Sequence, residues 1–313
     1  MGIRKLRGDI VVTGDLDVQG TARAGGVPLF GGGGGGSGTS LPLTDGTIIY
    51  LNSTHTNAAD TNEGTSPSRP MSTLDAAIGK TTANKGDVIV ASPEHAENIA
   101  AAAGIDADVA GISVVGMELG NDRPTFTFIT ATTADADVDA ADITFRNLRF
   151  VNNIDSQLIM IDVNSTGFRL EQCEFVEGTS KQWLTAVDIN GGSANACDRT
   201  QILGCTFHGV TAGPNNAIKL AEVADRVLII GNLIDGDFSD AGIHNPTGKT
   251  MTNLVIANNI VRNRQTGDHA IELVSACTGI CAGNYLFGDT AAAILDPGSL
   301  FCVDNWGQMA IDK

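Results

Sequence analysis

The sequence predicts an all-β solenoid, a chain wound into coils whose short parallel strands stack from one turn to the next. Three observations point to it. From Gly86 onward, eight segments align on one anchor (Met117, Leu148, Cys173, Cys205, Asn232, Asn259, Asn284, Asn305), with steps of 31, 25, 32, 27, 27, 25 and 21 residues. Periods of roughly 20–50 residues mark solenoids. Three columns keyed to the anchor stay apolar with few exceptions, and the residue just before it is Gly or Asn in six of the eight segments.

The columns set the geometry of each coil. Three residues before the anchor stand Val114, Phe145, Leu170, Ile202, Ile229, Ile256, Cys281 and Cys302. Five before it the residues are mostly apolar too, with Thr200 and Gly279 as exceptions. These two positions share a parity and therefore one strand face. Two residues after the anchor stand Leu119, Phe150, Phe175, Phe207, Ile234, Val261, Leu286 and, as an exception, Gly307. That position has the opposite parity, so the chain must turn a corner between. Gly116, Asn147, Gln172, Gly204, Gly231, Asn258, Gly283 and Asp304 occupy the bend, where Gly and Asn tolerate positive φ. The anchors then point inward, and Asn232, Asn259, Asn284 and Asn305 are expected to form a structural amide ladder at ~4.8 Å spacing. A buried amide is costly unless paired, which a column achieves. Eight such coils make a stack of ~38 Å.

A further strand repeats as Ala186-Val187-Asp188, Ala217-Ile218-Lys219, Ala270-Ile271-Glu272 and Ala310-Ile311-Asp312. Its charged members share a parity and should face water. Ahead of the coils, residues 1–30 show short Gly-punctuated strands, 31–36 are six glycines within a linker spanning 31–39, and 40–86 form a cap segment. The cap holds a strand at Thr47–Tyr50 and a helix near 72–79, with Ser72 as its cap and Gly79 as its end. The helix is placed to cover the open first rung. The solenoid itself is assigned to 87–313.

Composition excludes other classes. The chain carries 19 basic and 36 acidic residues, a net charge of −17, which repels phosphate backbones, so no nucleic acid is expected as a partner. No run approaches the ~18 apolar residues of a membrane helix, and the N-terminus lacks the apolar stretch of a signal peptide. The six cysteines form no C-x-x-C pair and should be buried free thiols; no metal and no cofactor is expected.

The coils from Gly86 to Asn305 resemble the right-handed parallel β-helix proteins of the pectin-lyase-like class, particularly those of bacteriophage virions. The segment Gly64-Thr65-Ser66-Pro67, Pro70, Thr73-Leu74, Ala77-Ile78, Gly86-Asp87-Val88-Ile89-Val90 is similar to the cap of that class. Residues 8–30 are similar to the strands at the attachment ends of phage fibres. The resemblance implies a virion fibre or spike, made in the bacterial host cytoplasm. It would be anchored to other virion proteins through Arg4, Lys5 and Arg7, project as a homotrimer, and meet bacterial surface polysaccharide. A polysaccharide depolymerase (lyase or hydrolase) and a capsid decoration or head fibre without a receptor role are the alternatives.

Enzymes of the class carry carboxylates with Arg or Lys along successive coils. Asn153-Ile154-Asp155, His208-Gly209 and Ile218-Lys219 match fragments of the polygalacturonase pattern, but its Asp-Asp and Arg-x-Lys are missing, so no catalytic set is assigned. Were the chain an enzyme, the outward column Asp162, Asp188, Lys219, His244, Glu272 would supply Asp162, Asp188 and Glu272, with Asp162 and Asp188 within about 5 Å. The expected alternative is a solvated sheet face. Asp235–Asp240 is an acidic turn lacking the EF-hand Gly and Glu, and His95 is expected at the surface. Trp183, Trp306, Tyr285 and Tyr50 are the aromatics left to stack on sugars. One position after the anchor, the early coils are polar, whereas the later ones carry Leu233, Ile260, Tyr285 and Trp306; this strip is expected to be an oligomer interface.

Overall fold

The computed structural model describes residues 23–24, 27–28, 44–209, 213–274, 276–289 and 294–309. The chain divides into two compact units, Met1–Ser37 and Gly38–Lys313. In the first, Arg23–Ala24 pairs antiparallel with Val27–Pro28. Arg4, Lys5, Arg7, the six glycines and Ala310-Ile311-Asp312 lie outside the described residues.

The second unit is three parallel sheets wrapped around one core. Sheet 1 has ten strands, from Ile48–Leu51 to Phe301–Val303; sheet 2 has nine, from Ala96–Ile99 to Trp306–Met309; sheet 3 has eight, from Ile105–Ala107 to Leu295–Asp296. Each strand pairs with strands one coil away in sequence, so every rung closes its backbone hydrogen bonds on its neighbours. Ten strands at the same parallel spacing make a stack of ~48 Å, longer than the sequence implied because Ile48–Leu51 and Val88–Ala91 add two rungs before the first anchored coil.

The inner columns align residues about 25–30 apart. On sheet 1, Val114, Phe145, Leu170, Ile202, Ile229, Ile256, Cys281 and Cys302 are successive register partners. On sheet 2 the column runs Phe126, Phe150, Phe175, Phe207, Ile234, Val261, Leu286, Gly307. The aromatic section stacks with centroid separations of 5.7, 5.2 and 4.6 Å. The amide ladder is in place. Asn232 Nδ2 donates to Asn259 Oδ1 (3.0 Å), Asn259 Nδ2 to Asn284 Oδ1 (3.0 Å) and Asn284 Nδ2 to Asn305 Oδ1 (2.8 Å). Seven of the eight bend residues have positive φ, from 51° at Asp304 to 70° at Gly231.

The first anchored coil departs from the pattern. Leu119 is exposed and Phe126 occupies its inward place. The corner there is widened by residues 117–124, which include a 3-10 turn at Gly120–Asp122, so a tight bend at Gly116 is not needed. The helix is Leu74–Ile78, capped by Thr73 and not by Ser72. The amides of Ser72 and Thr73 both donate to Asp60 Oδ1, leaving the Thr73 hydroxyl to accept from Ala76 N–H at 3.3 Å. Gly79 ends the helix, and Leu74, Ala77 and Ile78 are buried over the first coils.

Two side chains expected at or near the surface, His95 and Trp183, are buried. His95 lies within the core end, where its Nδ1 accepts from Ser53 N–H (2.9 Å) and its Nε2 faces Glu97 Oε2 at 3.2 Å. Glu97, buried as well, also accepts the Leu74 N–H at 2.9 Å. Trp183 is fully buried, its indole N–H donating to Asn216 O at 3.1 Å. Conversely, Cys302 is exposed while the other five cysteines are buried, because it stands on the last described rung of sheet 1 with no strand beyond it among the described residues.

Candidate functional site

Sheet 3 carries the densest chemistry. Its strands follow the small–aliphatic–charged pattern because the backbone bends there. The small residue, as well as the aliphatic one, points inward: Ala186, Val187, Ala217 and Ile218 are all fully buried. A Cβ added at Gly242 would lie 2.6 Å from Val261 Cγ1, so that rung is limited to glycine, whereas Met160 fills the equivalent inward place in an earlier coil. The charged residue alone turns outward, and register stacks it into one file: Asp106, Asp137, Asp162, Asp188, Lys219, His244, Glu272, Asp296. Neighbours in the file are ~4.8 Å apart at the backbone.

Four aspartates in succession crowd like charges at the N-terminal end. Burial, followed by repulsion from Asp135, Asp162, Asp139 and Asp106, pushes the Asp137 carboxyl up to about 7. Burial and then Asp188 and Asp135 push Asp162 up to about 6, against hydrogen bonds from Asn164 and Asn190. Asp188 is raised by burial, although Lys219 Nζ, 3.6 Å from its Oδ2, opposes this. Asp106, Asp162 and Asp188 each have a buried Oδ1 without a hydrogen-bond partner. Burial first, and like charge second, favour the acid form along this part of the file.

Further along the file, His244 Nε2 is 3.4 Å from Glu272 Oε2 and its Nδ1 is 3.8 Å from Asp240 Oδ2, while His269 Nδ1 is 3.5 Å from Glu272 Oε1. Burial holds the His244 imidazole below its ordinary value, with Asp240 and Glu272 opposing. Among the described residues, no group of three or more His, Cys, Asp or Glu side chains is arranged to hold a metal ion. In the acidic turn, Asp235 pairs with Arg264 and Arg262, and Phe238 is buried.

Of the residues singled out from sequence, Asp162 and Asp188 are brought side by side. Glu272 stands in the same file but three rungs from Asp188, ~14 Å by strand spacing, so it cannot act with that pair. Asp106 and Asp137 were missed; Ile105-Asp106-Ala107 and Ala136-Asp137-Val138 carry the same apolar–charged–apolar signal. Leu233, Ile260, Tyr285 and Trp306 form an outward file on sheet 2. Two surface depressions of about 280 and 290 Å³ lie elsewhere, one lined by residues of the cap segment and one by Arg146, Glu171 and Leu203 on sheet 1 with the bend residues Gln172 and Gly204.

The raised carboxyls set a pH dependence. A group whose folded pKa lies above its unfolded 3.8 contributes stability that is complete at lower pH and is lost as pH rises through the folded value. For Asp162 and Asp137 that loss begins near the unfolded value of 3.8 and is complete by about 6 and about 7, respectively. His244 acts in the opposite sense, its lowered pKa costing stability as pH falls below 6.5, so the comparison must be made against a variant. Relative to Asp137→Asn, the wild type is expected to lose on the order of 1–2 kcal/mol between about pH 5 and pH 8, a figure discounted for partial solvation. Thermal melts across that range read it; parallel curves for the two proteins would contradict it.

A solenoid of three parallel sheets with a helix over its first rung defines the class: a right-handed parallel β-helix. No protein-family model matches the chain, and no curated protein matches it. Among solved structures it is similar to pectate lyase Pel9A, with a TM-score of 0.50 and 14% identity over 84% of this chain and 77% of that one. It is also similar to a rhamnogalacturonan lyase, with a TM-score of 0.44 and 11% identity over 85% and 87%. The first likeness confirms the fold; at such identity it assigns no activity.

Proposed function

We propose that this protein is a virion fibre or spike of a bacteriophage that contacts bacterial surface polysaccharide through the outer face of sheet 3. The observation that carries the glycan contact is the unbroken file from Asp106 to Asp296, eight hydrogen-bonding side chains in register of which all but the buried Asp188 are at least partly exposed. An extended polymer with repeated hydroxyls suits such a face better than a compact ligand does. The virion role rests on the likeness of residues 8–30 to phage fibre ends and on the basic Arg4, Lys5 and Arg7 before the six-glycine tether. The same likeness accommodates a fibre on the head or on the tail, with the rod assembled as a homotrimer.

Calorimetric titration with neutral oligosaccharides from the host surface tests the contact. The double variant Asp162→Asn/Asp188→Asn is expected to weaken binding about 10-fold or more. Equal affinity for the variant and the wild type would remove sheet 3 from the contact.

A depolymerase is the second reading, favoured by the Asp162–Asp188 pair. Their strand spacing approaches the roughly 5–5.5 Å of a retaining glycosidase, and Asp162, pushed up to about 6, suits a general acid. Binding is placed ahead of cleavage because Asp188, the nucleophile of such a pair, is only 4% exposed. Polysaccharide turnover by the wild type that disappears in the double variant would reverse that order.

A further inference from the structure

The outer faces of sheets 1 and 2 change character along the solenoid. In the earlier coils they carry ion pairs: Arg123 and Arg149 meet Glu174 on sheet 2, and Arg146 and Arg169 meet Glu171 on sheet 1. In the last four coils the charges give way to apolar side chains on both sheets. The sheet 2 file Leu233, Ile260, Tyr285, Trp306 is 38, 44, 52 and 66% exposed. On sheet 1, Leu228, Val255, Ile280 and Phe301 are register partners, and the last two are 44 and 67% exposed, with Val303 beside them at 40%. Between the two files lie the second outward column of sheet 1, Ile230, Ala257, Ala282 and Val303, which is apolar too, and the bend residues, so the apolar face continues around the corner. Asp235, paired with Arg262 and Arg264, borders it.

We propose that a second copy of this chain docks on this two-sheet face. The exposed apolar area of these side chains is on the order of 600 Å². That is most of the ~800 Å² per partner in a stable protein interface and stands at the upper end of the roughly 300–600 Å² that the largest apolar patch of a soluble monomer reaches. The composition selects the occupant. Aliphatic and aromatic side chains at the centre with ion pairs at the border are the anatomy of a protein–protein contact. A polysaccharide would gain little from Leu233, Ile260, Ile280 and Val303, which offer no hydrogen bond. Every copy carries the same patch, so self-association needs no further partner and closes by rotation. The inference deepens the oligomer part of the proposed function by naming its surface, and it involves no residue of the sheet 3 file.

Sedimentation velocity of the full chain across the micromolar range tests it. The wild type is expected at a multiple of 32.3 kDa, and Tyr285→Glu/Trp306→Glu and Ile280→Glu/Phe301→Glu each at the monomer mass with unchanged circular dichroism. Tyr285→Ser/Trp306→Ser provides the same comparison without buried charge should a glutamate variant fail to fold. A wild type that stays monomeric, or variants that remain oligomeric, would overturn the proposal. So would a monomer whose Tyr285 and Trp306 variants lose oligosaccharide binding, since the face would then belong to sugar. Asp162→Asn/Asp188→Asn should leave the oligomer intact, so failure of the glycan contact and failure of this interface are read separately.

Discussion

Replacing Phe175 with alanine is expected to lower the unfolding free energy by about 3–5 kcal/mol. Phe175 is fully buried in the middle of the inner sheet 2 column, stacked on Phe150 at 5.2 Å and on Phe207 at 4.6 Å, the latter with ring planes only 8° apart. Deletion removes the apolar transfer gain and two ring–ring contacts. It also opens a cavity that cannot collapse readily, because backbone hydrogen bonds hold the rungs above and below in register. Stability in a solenoid is a sum of nearest-neighbour terms, so a defect in the middle should also loosen the coupling between the two halves. Urea unfolding reads both effects, as a lower midpoint and a smaller m-value if the halves separate. A loss below about 1 kcal/mol would mean that the ring is not enclosed by its neighbours.

Asn259→Ala is expected to cost about 3 kcal/mol or more. The Asn259 side chain accepts from the Asn232 N–H at 2.9 Å and from Asn232 Nδ2 at 3.0 Å, and it donates to Ile229 O at 2.9 Å and to Asn284 Oδ1 at 3.0 Å. Truncation strands several buried polar groups at once, each at about 1–3 kcal/mol when unsatisfied. Position in the ladder supplies the control. Asn305, at the last described rung, accepts from Asn284 N–H at 3.0 Å and from Asn284 Nδ2 at 2.8 Å and donates to Cys281 O at 2.7 Å, but it is only half-buried and water can replace part of what truncation removes, so Asn305→Ala should cost clearly less than Asn259→Ala. Equal losses at the two positions in thermal or chemical melts would contradict a stacked ladder.

Much of this architecture is legible in the sequence because the repeat imposes the same physical demand on every coil. An inward residue must be apolar or an amide with partners above and below, and a bend must tolerate positive φ. That is why the columns from Phe145 to Cys302 and from Phe150 to Leu286 could be written down from spacing alone. The first coil escaped because the 117–124 excursion relaxes the bend, leaving Leu119 outside and passing its place to Phe126. His95 escaped for another reason: its partners, Ser53 and Glu97 with the helix amide behind it, belong to the closed end of the solenoid and leave no periodic mark.

The candidate site was legible in part. Parity and period put Asp162 beside Asp188, and they also put Glu272 in the same file; only the count of intervening rungs shows that Glu272 is out of reach. The electrostatics were not legible, because the rise of Asp137 to about 7 depends first on its burial and then on Asp135, Asp162, Asp139 and Asp106 converging from other positions and coils. The sheet 1 half of the apolar face was overlooked because Ile280 and Phe301 precede the anchor on the strand whose alternate residues fill the core.

The central claim is that residues roughly one coil apart in sequence lie directly over one another. Paired cysteines test it most directly. Val176 and His208 are register partners on adjacent strands of sheet 2, both turned outward, and strands at ~4.8 Å fall within the Cα separations that a disulfide can bridge. In a Cys302→Ser background, Val176→Cys/His208→Cys is expected to close an intramolecular disulfide under mild oxidation, whereas Val176→Cys/Arg262→Cys, three rungs apart, leaves both thiols free. Mass spectrometry of the tryptic digest reads the outcome. Free thiols in the first pair, or equal cross-linking in both, would contradict the coiled stack.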